Sequence, residues 1–199
     1  MLKTTLLGML IVGTALATPA LAQSAPPLAI TLPATQTAGT LTVTSATYKS
    51  GSAIPLDNSS YGKSNSPQVT WTAGPGTTKS YVVLMEDPDA QIEGKPIIHW
   101  VAYDIPGSVT SLPENLPKEA AVANPKGMMQ GMHVAKGPGY FGPKPPLGAS
   151  AHHYHLEVFA VDKVLGLAAG ATREDVLGGI SGHVLAKGEL VGLYTPAAK

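Results

Sequence analysis

The chain has 199 residues, and its 13 lysines and arginines balance its 13 aspartates and glutamates, so the formal net charge is zero. A neutral chain with Arg173 as its single arginine lacks the basic face of a nucleic-acid-binding protein. The absence of cysteine excludes disulfides and thiolate metal sites. The 22 glycines and 18 prolines indicate many turns between short strands, which favours a mostly β fold.

The first 22 residues have the pattern of a secretory signal peptide. Lys3 precedes an apolar run over residues 6–16, and Ala20 and Ala22 supply the small residues of a cleavage site. This run is shorter than the roughly 20 residues that a membrane span needs. We therefore expect cleavage after Ala22 and a mature protein that is secreted, or periplasmic in a Gram-negative host, without a transmembrane anchor.

The mature chain is predicted to form one domain. Residues 23–38 are rich in alanine, proline and threonine and have no hydrophobic period, which predicts a loose segment. Residues 39–199 have the length of a single domain with a real core, and no internal repeat is evident.

The strand predictions follow the apolar runs along the domain. Residues 80–86, SYVVLME, form a nearly continuous apolar run that is typical of a strand buried on both faces. The D-P-D-A sequence at 87–90 follows as a predicted turn. Further strands are predicted over residues 97–105, from residue 152 onward and over residues 189–194.

One helix is predicted near the C-terminus. Thr172 and Asp175 form a T-x-x-D start, a variant of the capping box. The apolar residues that follow recur at helical spacing, so the helix is predicted from Arg173 to about Ala186.

A polar face opens the strand that begins at His152. Side chains alternate along a strand, so His152 and Tyr154 share the face that becomes apolar further along. A stiff loop rich in glycine and proline, residues 142–148, leads into this strand. The pattern places an imidazole and a phenol at the mouth of a core, which favours a small polar binding pocket.

His99 lies within an apolar strand. Alternation predicts that it shares a face with Ile97, Val101 and Tyr103. A histidine there is either a hydrogen-bonded core residue or a pocket-wall group that titrates near its ordinary pKa of about 6.5.

If these strands are neighbours, Asp87, His99, His152 and Tyr154 converge on one pocket. Such a set suits an anionic ligand, because imidazoles and the phenol donate hydrogen bonds. The carboxylate then orients a histidine or binds a cationic end of the ligand. Without a bidentate arginine, we expect weak, selective binding of a headgroup-sized ligand.

Metal binding and hydrolysis are the alternatives. His153 and His155 share a predicted face with Glu157, which would allow an adventitious surface metal site, but no H-E-x-x-H motif occurs. Asp87 and His99 could act as an acid–base pair in a hydrolase or lyase. The chain has no G-x-S-x-G motif, however. We therefore expect no metal site, no cofactor and no enzymatic activity.

Five motifs, in their order and spacing across nearly the whole mature chain, resemble the phosphatidylethanolamine-binding protein family, also known as Raf kinase inhibitor proteins, in its compact bacterial branch. They are N-S-P-x-x-x-W (Asn65, Ser66, Pro67, Trp71), D-P-D-A (Asp87 to Ala90), H-W (His99, Trp100), G-P-x-P-P-x-G with H-x-Y (Gly142 to Gly148, His152, Tyr154) and G-H-x-L-A-x-G-E-L-V-G-x-Y (Gly182 to Tyr194).

The resemblance implies a Greek-key β-sandwich with a helix near the C-terminus and a small pocket at one end. In this family the pocket binds anions such as phosphate, acetate or phospholipid headgroups. Carried over to this sequence, its wall would be Asp87, His99, Pro145, His152 and Tyr154.

Two positions depart from the family pattern. Gln91 stands where many relatives have a proline after D-P-D-A, and His153 replaces the arginine of the familiar H-R-Y. The first departure affects the predicted shape of the pocket edge, and the second affects local packing.

The sequence therefore predicts an exported, non-enzymatic protein that binds a small phosphate- or carboxylate-bearing ligand. One alternative is a protein-interaction module that inhibits a protease or a kinase, as some relatives do. The other is a hydrolase or lyase.

Overall fold

The computed structural model describes residues 24–197, so the predicted signal peptide lies outside the described residues. The described chain has eight strands in two antiparallel sheets, with the order β6-β4-β3-β7-β8 in the larger and β1-β2-β5 in the smaller. The strands are β1 (Val43–Thr44), β2 (Val69–Trp71), β3 (Ser80–Ile92), β4 (Lys95–Pro106), β5 (Ser111–Leu112), β6 (Met129–Gln130), β7 (His152–Val161) and β8 (Val184–Tyr194). The predicted mostly β fold with one α-helix near the C-terminus is confirmed.

The larger sheet is covered on both faces. Tyr81, Val83 and Met85 of β3 pack in a first apolar layer with residues of the smaller sheet, including Trp71. The intervening side chains of β3, such as Val82, pack in a second layer under the C-terminal helix. Because both faces of β3 are buried, its sequence is apolar at nearly every position.

The helix α1 spans Arg173–Ile180 and is shorter than predicted. Its predicted start is confirmed, since the Thr172 hydroxyl accepts a hydrogen bond from the backbone N–H of Asp175 and the Asp175 carboxylate accepts one from that of Thr172. The chain leaves the helix through Gly182, which has a positive φ of 76°. The residues from Val184 onward pair with β7 instead of continuing the helix.

The hairpin of β3 and β4 extends beyond the predicted strands. The D-P-D-A sequence lies within β3, not in a terminal turn, and the chain reverses at Glu93 and Gly94, which both have positive φ. Gln91 pairs with Pro96 near this end of the hairpin. The register is irregular between Asp87 and Gln91, which is where the sequence carries its turn-forming residues.

A β-bulge in β4 reverses the predicted orientation of His99. The pairing with β3 steps from Trp100 to Ile98, so His99 is an extra residue between them. Val101 packs in the second layer, where strict alternation would also place His99. Instead, the His99 ring lies 5.1 Å from the ring of Tyr154, which belongs to the first layer.

The predicted loose segment is ordered over much of its length. Two short 3₁₀ helices, Ala29–Thr31 and Pro33–Thr35, pack on the second face of the larger sheet. Two buried carboxylates hold the first of them: Glu86 accepts a hydrogen bond from the backbone N–H of Ala29, and Glu157 accepts one from that of Ile30. Arg173 in turn donates to Glu86.

Within residues 24–197, no helix has the length and apolar character that crossing a membrane requires.

Candidate functional site

The candidate site is a cavity of about 260 Å³ at one end of the larger sheet. It lies where three neighbouring strands, β4, β3 and β7, bring polar residues together. Its lining comprises Asp87, Ala90, Ile97, His99, Val134, Phe141, Lys144, Pro145, Pro146 and His152. Four of the five predicted site residues therefore line one cavity, and the fifth, Tyr154, lies directly behind two of them.

Asp87 and His152 form a buried pair across β3 and β7. The Nδ1 atom of His152 lies 2.8 Å from Oδ2 of Asp87, and both side chains are almost wholly buried. Because a carboxylate accepts, Nδ1 carries the hydrogen and the ring orientation is fixed. The other carboxylate oxygen, Oδ1, accepts a hydrogen bond from the backbone N–H of Asp89 at 2.9 Å. The predicted role of Asp87 in orienting a histidine is thus met, but its partner is His152 and not His99.

His99 is fixed by the backbone of the neighbouring loop. Its Nδ1 lies 2.7 Å from the carbonyl oxygen of Phe141, and the Phe141 N–H donates to the His99 carbonyl at 2.8 Å. Burial lowers the pKa of His99 to about 4, although the Phe141 carbonyl and Asp87 act in the opposite direction. The ring is therefore neutral at physiological pH. Of the two alternatives for His99, the hydrogen-bonded buried histidine is observed, and titration near 6.5 is not supported.

Tyr154 packs against the rings of His99 and His152 on the side away from the cavity. Its ring meets His99 edge-on at 5.1 Å and lies 6.5 Å from that of His152. Its hydroxyl is buried and makes no well-formed hydrogen bond to another described residue. Burial raises the pKa of Tyr154, and the nearby negative charge of Asp87 adds to this effect. The hydroxyl therefore stays protonated, and the Asp87 carboxylate is close enough to raise its pKa through both charge and hydrogen bonding.

The loop that precedes β7 closes the cavity. Gly142 packs so closely against the segment at residues 58–60 that an added Cβ would lie 2.6 Å from the Asn58 carbonyl oxygen. The hydroxyl of Tyr61 donates to the carbonyl of Pro145. These contacts fix Pro145 on the cavity wall, which is the position that the family resemblance implied.

Lys144 is the lining residue that sequence reasoning missed. It lies between Pro143 and Pro145, and its exposed side chain lines the cavity, so it supplies a cation at the rim. An isolated lysine in a glycine- and proline-rich loop gives no periodic signal. Only the closed loop shows that Lys144 faces the site.

The predicted surface histidines do not form a metal site. His153 is exposed and binds the Asp89 carboxylate with its backbone N–H and its Nδ1, at 2.6 and 2.8 Å. His155 pairs with Glu189, whereas Glu157 is fully buried under the N-terminal segment. Among residues 24–197 there is no cluster of three or more metal-ligating side chains. At the position where many relatives have an arginine, His153 therefore forms a local pair with Asp89.

A scan against protein-family models matches residues 44–195 to the family described as phosphatidylethanolamine-binding protein. A UPF0098 protein of Aquifex aeolicus is 41% identical over 153 residues, which cover 76% of this chain and 86% of that protein. A UPF0098 protein of Methanothermobacter thermautotrophicus is 40% identical over 141 residues, or 71% and 89% of the two chains.

Two solved structures have the same fold. The Chlamydia trachomatis homologue CT736, described as a phosphatidylethanolamine-binding protein homologue, has a TM-score of 0.69 at 32% identity, covering 79% of this chain and 98% of that chain. Escherichia coli YbcL, described as a member of the mammalian PEBP family, has a TM-score of 0.72 at 28% identity, covering 78% and 98%. Family model, relatives and structures agree, and the chain belongs to the phosphatidylethanolamine-binding protein family.

Proposed function

We propose that this protein is a non-enzymatic binding protein for a small phosphate- or carboxylate-bearing ligand. The observation that carries the proposal is the convergence of Asp87, His99 and His152 on one cavity with Lys144 at its rim. Two of these side chains have their ring orientation fixed by hydrogen bonds, so the site is organised before a ligand arrives. Membership of the family described as phosphatidylethanolamine-binding protein supports a phosphate-bearing ligand.

The size of the cavity limits the ligand. At about 260 Å³ it lies below the roughly 300–1,000 Å³ typical of pockets for drug-sized molecules. A phosphate, a small carboxylate or a single headgroup therefore suits it.

The charges favour an anion of modest affinity. Lys144 contributes an ammonium group to a lining that also holds the Asp87 carboxylate, which is hydrogen-bonded to His152. A lysine acts as a point charge and lacks the bidentate geometry of arginine, so we expect binding that is weak compared with an arginine clamp.

The proposal is tested by titrating residues 23–199 with phosphate and with phosphoethanolamine while following the histidine ring resonances by NMR. We expect the His99 and His152 resonances to shift and the Asp87→Ala variant to bind more weakly. Asp162→Ala is the matched control, because Asp162 forms the same type of pair with His183 at 2.8 Å on the surface. Rings of His99 and His152 that do not respond to either ligand would refute the proposal.

The Asp87–His152 pair also favours a second candidate function, hydrolysis of a bound ester. A carboxylate that fixes Nδ1 of a histidine leaves Nε2 able to remove a proton from water. The cavity lining has no serine that could serve as a nucleophile, so water would have to attack directly. Turnover of small carboxylic or phosphate esters that is lost in Asp87→Asn would establish this function in place of simple binding.

We also propose that the protein acts outside the cytoplasm. The predicted signal peptide, residues 1–22, supports this proposal. Expression of the full chain should give a periplasmic or secreted product whose first residue is Gln23. A product that stays in the cytoplasm and retains Met1 would refute it.

A further inference from the structure

We propose that the ligand of this protein carries an unbranched hydrocarbon chain, and that this chain lies in a second, apolar cavity beside the anion site. The inference rests on the proposed function, since it takes the anion in the first cavity as given and identifies the rest of the ligand. It follows from the position of the second cavity and from the side chains that line it.

The second cavity has a volume of about 320 Å³ and lies next to the first at the same end of the larger sheet. It is bounded by the end of the β3–β4 hairpin, the turn after β6 and the first residues of α1. Its apolar lining includes Ile92, Pro96, Ile98 and Met132. A hydrocarbon chain suits this space, because each methylene that leaves water for such a lining favours binding.

The charged residues of the second cavity do not form a second anion site. Lys95 pairs with the Glu174 carboxylate at 3.2 Å, and Arg173 is paired with a buried carboxylate of β3. Lys136 and Glu93 have opposite charges and are both exposed. These charges balance, so the cavity does not favour another ionic group, and its apolar lining fits the uncharged end of a ligand.

Two apolar side chains separate the cavities. Ile97 and Val134 line both of them, and each is partly exposed. The backbone N–H of Val134 donates to the Ile98 carbonyl at 2.8 Å, so the turn after β6 is fixed against β4 at this divide. A chain attached to an anion in the first cavity can therefore reach the second over apolar side chains.

The rings beside the divide show that the crossing is short. Phe141 lines the first cavity and His133 the second, and their rings stack at 5.2 Å. Phe141 also stacks at 5.8 Å on His99, which lines the first cavity. The two cavities are thus about one ring stack apart at this point, which a few CH₂ groups span.

Ile92 forms an exposed apolar edge of the second cavity. The residue is 55% exposed and lies at the end of β3. A hydrocarbon chain in the cavity would cover part of this surface. Replacement of Ile92 should therefore weaken binding of the chain with little effect on folding.

The test titrates residues 23–199 with phosphate and with methyl, butyl and octyl phosphate at pH 7.5 and constant ionic strength, below the micelle concentration of octyl phosphate. The three esters share one phosphate group, so only the chain changes. Each CH₂ that leaves water raises the affinity by up to about fourfold. We expect octyl phosphate to bind at least tenfold more tightly than methyl phosphate. The methyl resonances of Ile98 and Met132 should shift with octyl phosphate and not with methyl phosphate.

A variant then assigns the chain to the second cavity. Ile92→Ser should lower the octyl-to-methyl affinity ratio at least threefold and leave the binding of methyl phosphate unchanged. Val164→Ser is the matched control, because Val164 is 60% exposed, follows the far end of β7 and lines neither cavity. It should keep the wild-type ratio. Octanol, which has the chain without the anion, should bind at least tenfold more weakly than octyl phosphate.

The outcomes separate the two proposals. If octyl and methyl phosphate bind within a factor of three, the chain inference is wrong while the anion pocket stands, and an apolar protein segment becomes the occupant to test. If phosphate and all three esters fail to bind, the proposed function itself fails.

Two further results would overturn the assignment to this cavity. One is a chain-length effect that persists in Ile92→Ser without shifts of the Ile98 and Met132 resonances, because the chain would then lie elsewhere. The other is octanol binding as tight as that of octyl phosphate, because the second cavity would then act independently of the anion site.

Discussion

Acidification should destabilise this protein through His99, and His99→Gln should remove that part of the effect. Burial holds the pKa of His99 at about 4 in the folded protein, compared with 6.5 for an exposed histidine. Between these values the unfolded chain binds a proton that the folded protein excludes. The contribution of His99 to stability is therefore complete above pH 6.5 and is lost progressively as the pH falls towards 4.

The magnitude follows from the size of the pKa difference. A shift of one unit corresponds to about 1.4 kcal/mol, so the full loss below pH 4 is about 3 kcal/mol. Between pH 7.5 and pH 5 the same linkage gives a loss of about 2 kcal/mol. The His99 ring is fully buried, so solvent screening does not reduce this figure appreciably.

The assay is urea denaturation at pH 7.5 and pH 5 for three proteins. His99→Gln should lose about 2 kcal/mol less than wild type on acidification. His153→Gln is the matched control, because His153 is exposed and forms a surface pair with Asp89. It should follow the wild type. Comparison with wild type cancels the contribution of every other titrating group.

An equal loss of stability in wild type and in folded His99→Gln would refute the argument. It would mean that the ring of His99 is not desolvated in the folded protein. The assignment of a neutral ring to His99 at physiological pH would then lose its support.

Three further predictions concern the buried charges and the glycines. Burial and the neighbouring Glu86 raise the pKa of Glu157, so the contribution of this residue to stability should fall as the pH rises above 4.5. Glu157→Gln should reduce this fall in urea titrations. Equal pH profiles of the two proteins would contradict the prediction. Arg173→Met leaves Glu86 buried without its cation and should cost about 3–5 kcal/mol of unfolding free energy, most of which is recovered by adding Glu86→Gln. Wild-type stability in the single variant would show that the pair is dispensable. Gly142→Ala should destabilise the loop and weaken phosphate binding, because the added Cβ would lie 2.6 Å from a backbone oxygen. Gly178→Ala in α1 places its Cβ in open space and should stabilise the protein by about 0.5–1 kcal/mol. Equal tolerance of the two alanines, measured by thermal denaturation and phosphate titration, would count against the close packing of the loop.

The regular strand at the site could be predicted from local sequence. In β7, pairing with β8 runs without interruption from His152 to Ala160, so simple alternation gives the correct faces. His152 and Tyr154 are buried and His153 is exposed, as the period-two pattern predicted. The start of α1 could also be predicted locally, because the side chains of Thr172 and Asp175 each accept a hydrogen bond from the other's backbone N–H.

The orientation of His99 could not be predicted in this way. It depends on a bulge that exists only because β4 pairs with β3 out of step. The run of residues 97–105 carries no local signal for an extra residue, since its apolar pattern suits a regular strand equally well. The neutral state of His99 likewise depends on burial by residues distant in sequence, such as Phe141 and Tyr154.

The order of the N-terminal segment also depends on contacts that local sequence could not predict. Residues 23–38 lack a hydrophobic period, which predicted a loose segment. Its order comes from hydrogen bonds to Glu86 and Glu157, which lie 57 and 127 residues away from their partners Ala29 and Ile30. Such contacts do not leave a pattern in the segment itself.

By itself the sequence determined the mostly β architecture, the principal strands and helix start, and the residue types of the site, because these depend on short-range periodicity and on motifs. The tertiary structure decided which residues act together. It paired Asp87 with His152, turned His99 into the cavity and brought Lys144 to its rim. These features depend on strand register and loop packing between distant parts of the chain, where a one-residue shift changes the face of a side chain.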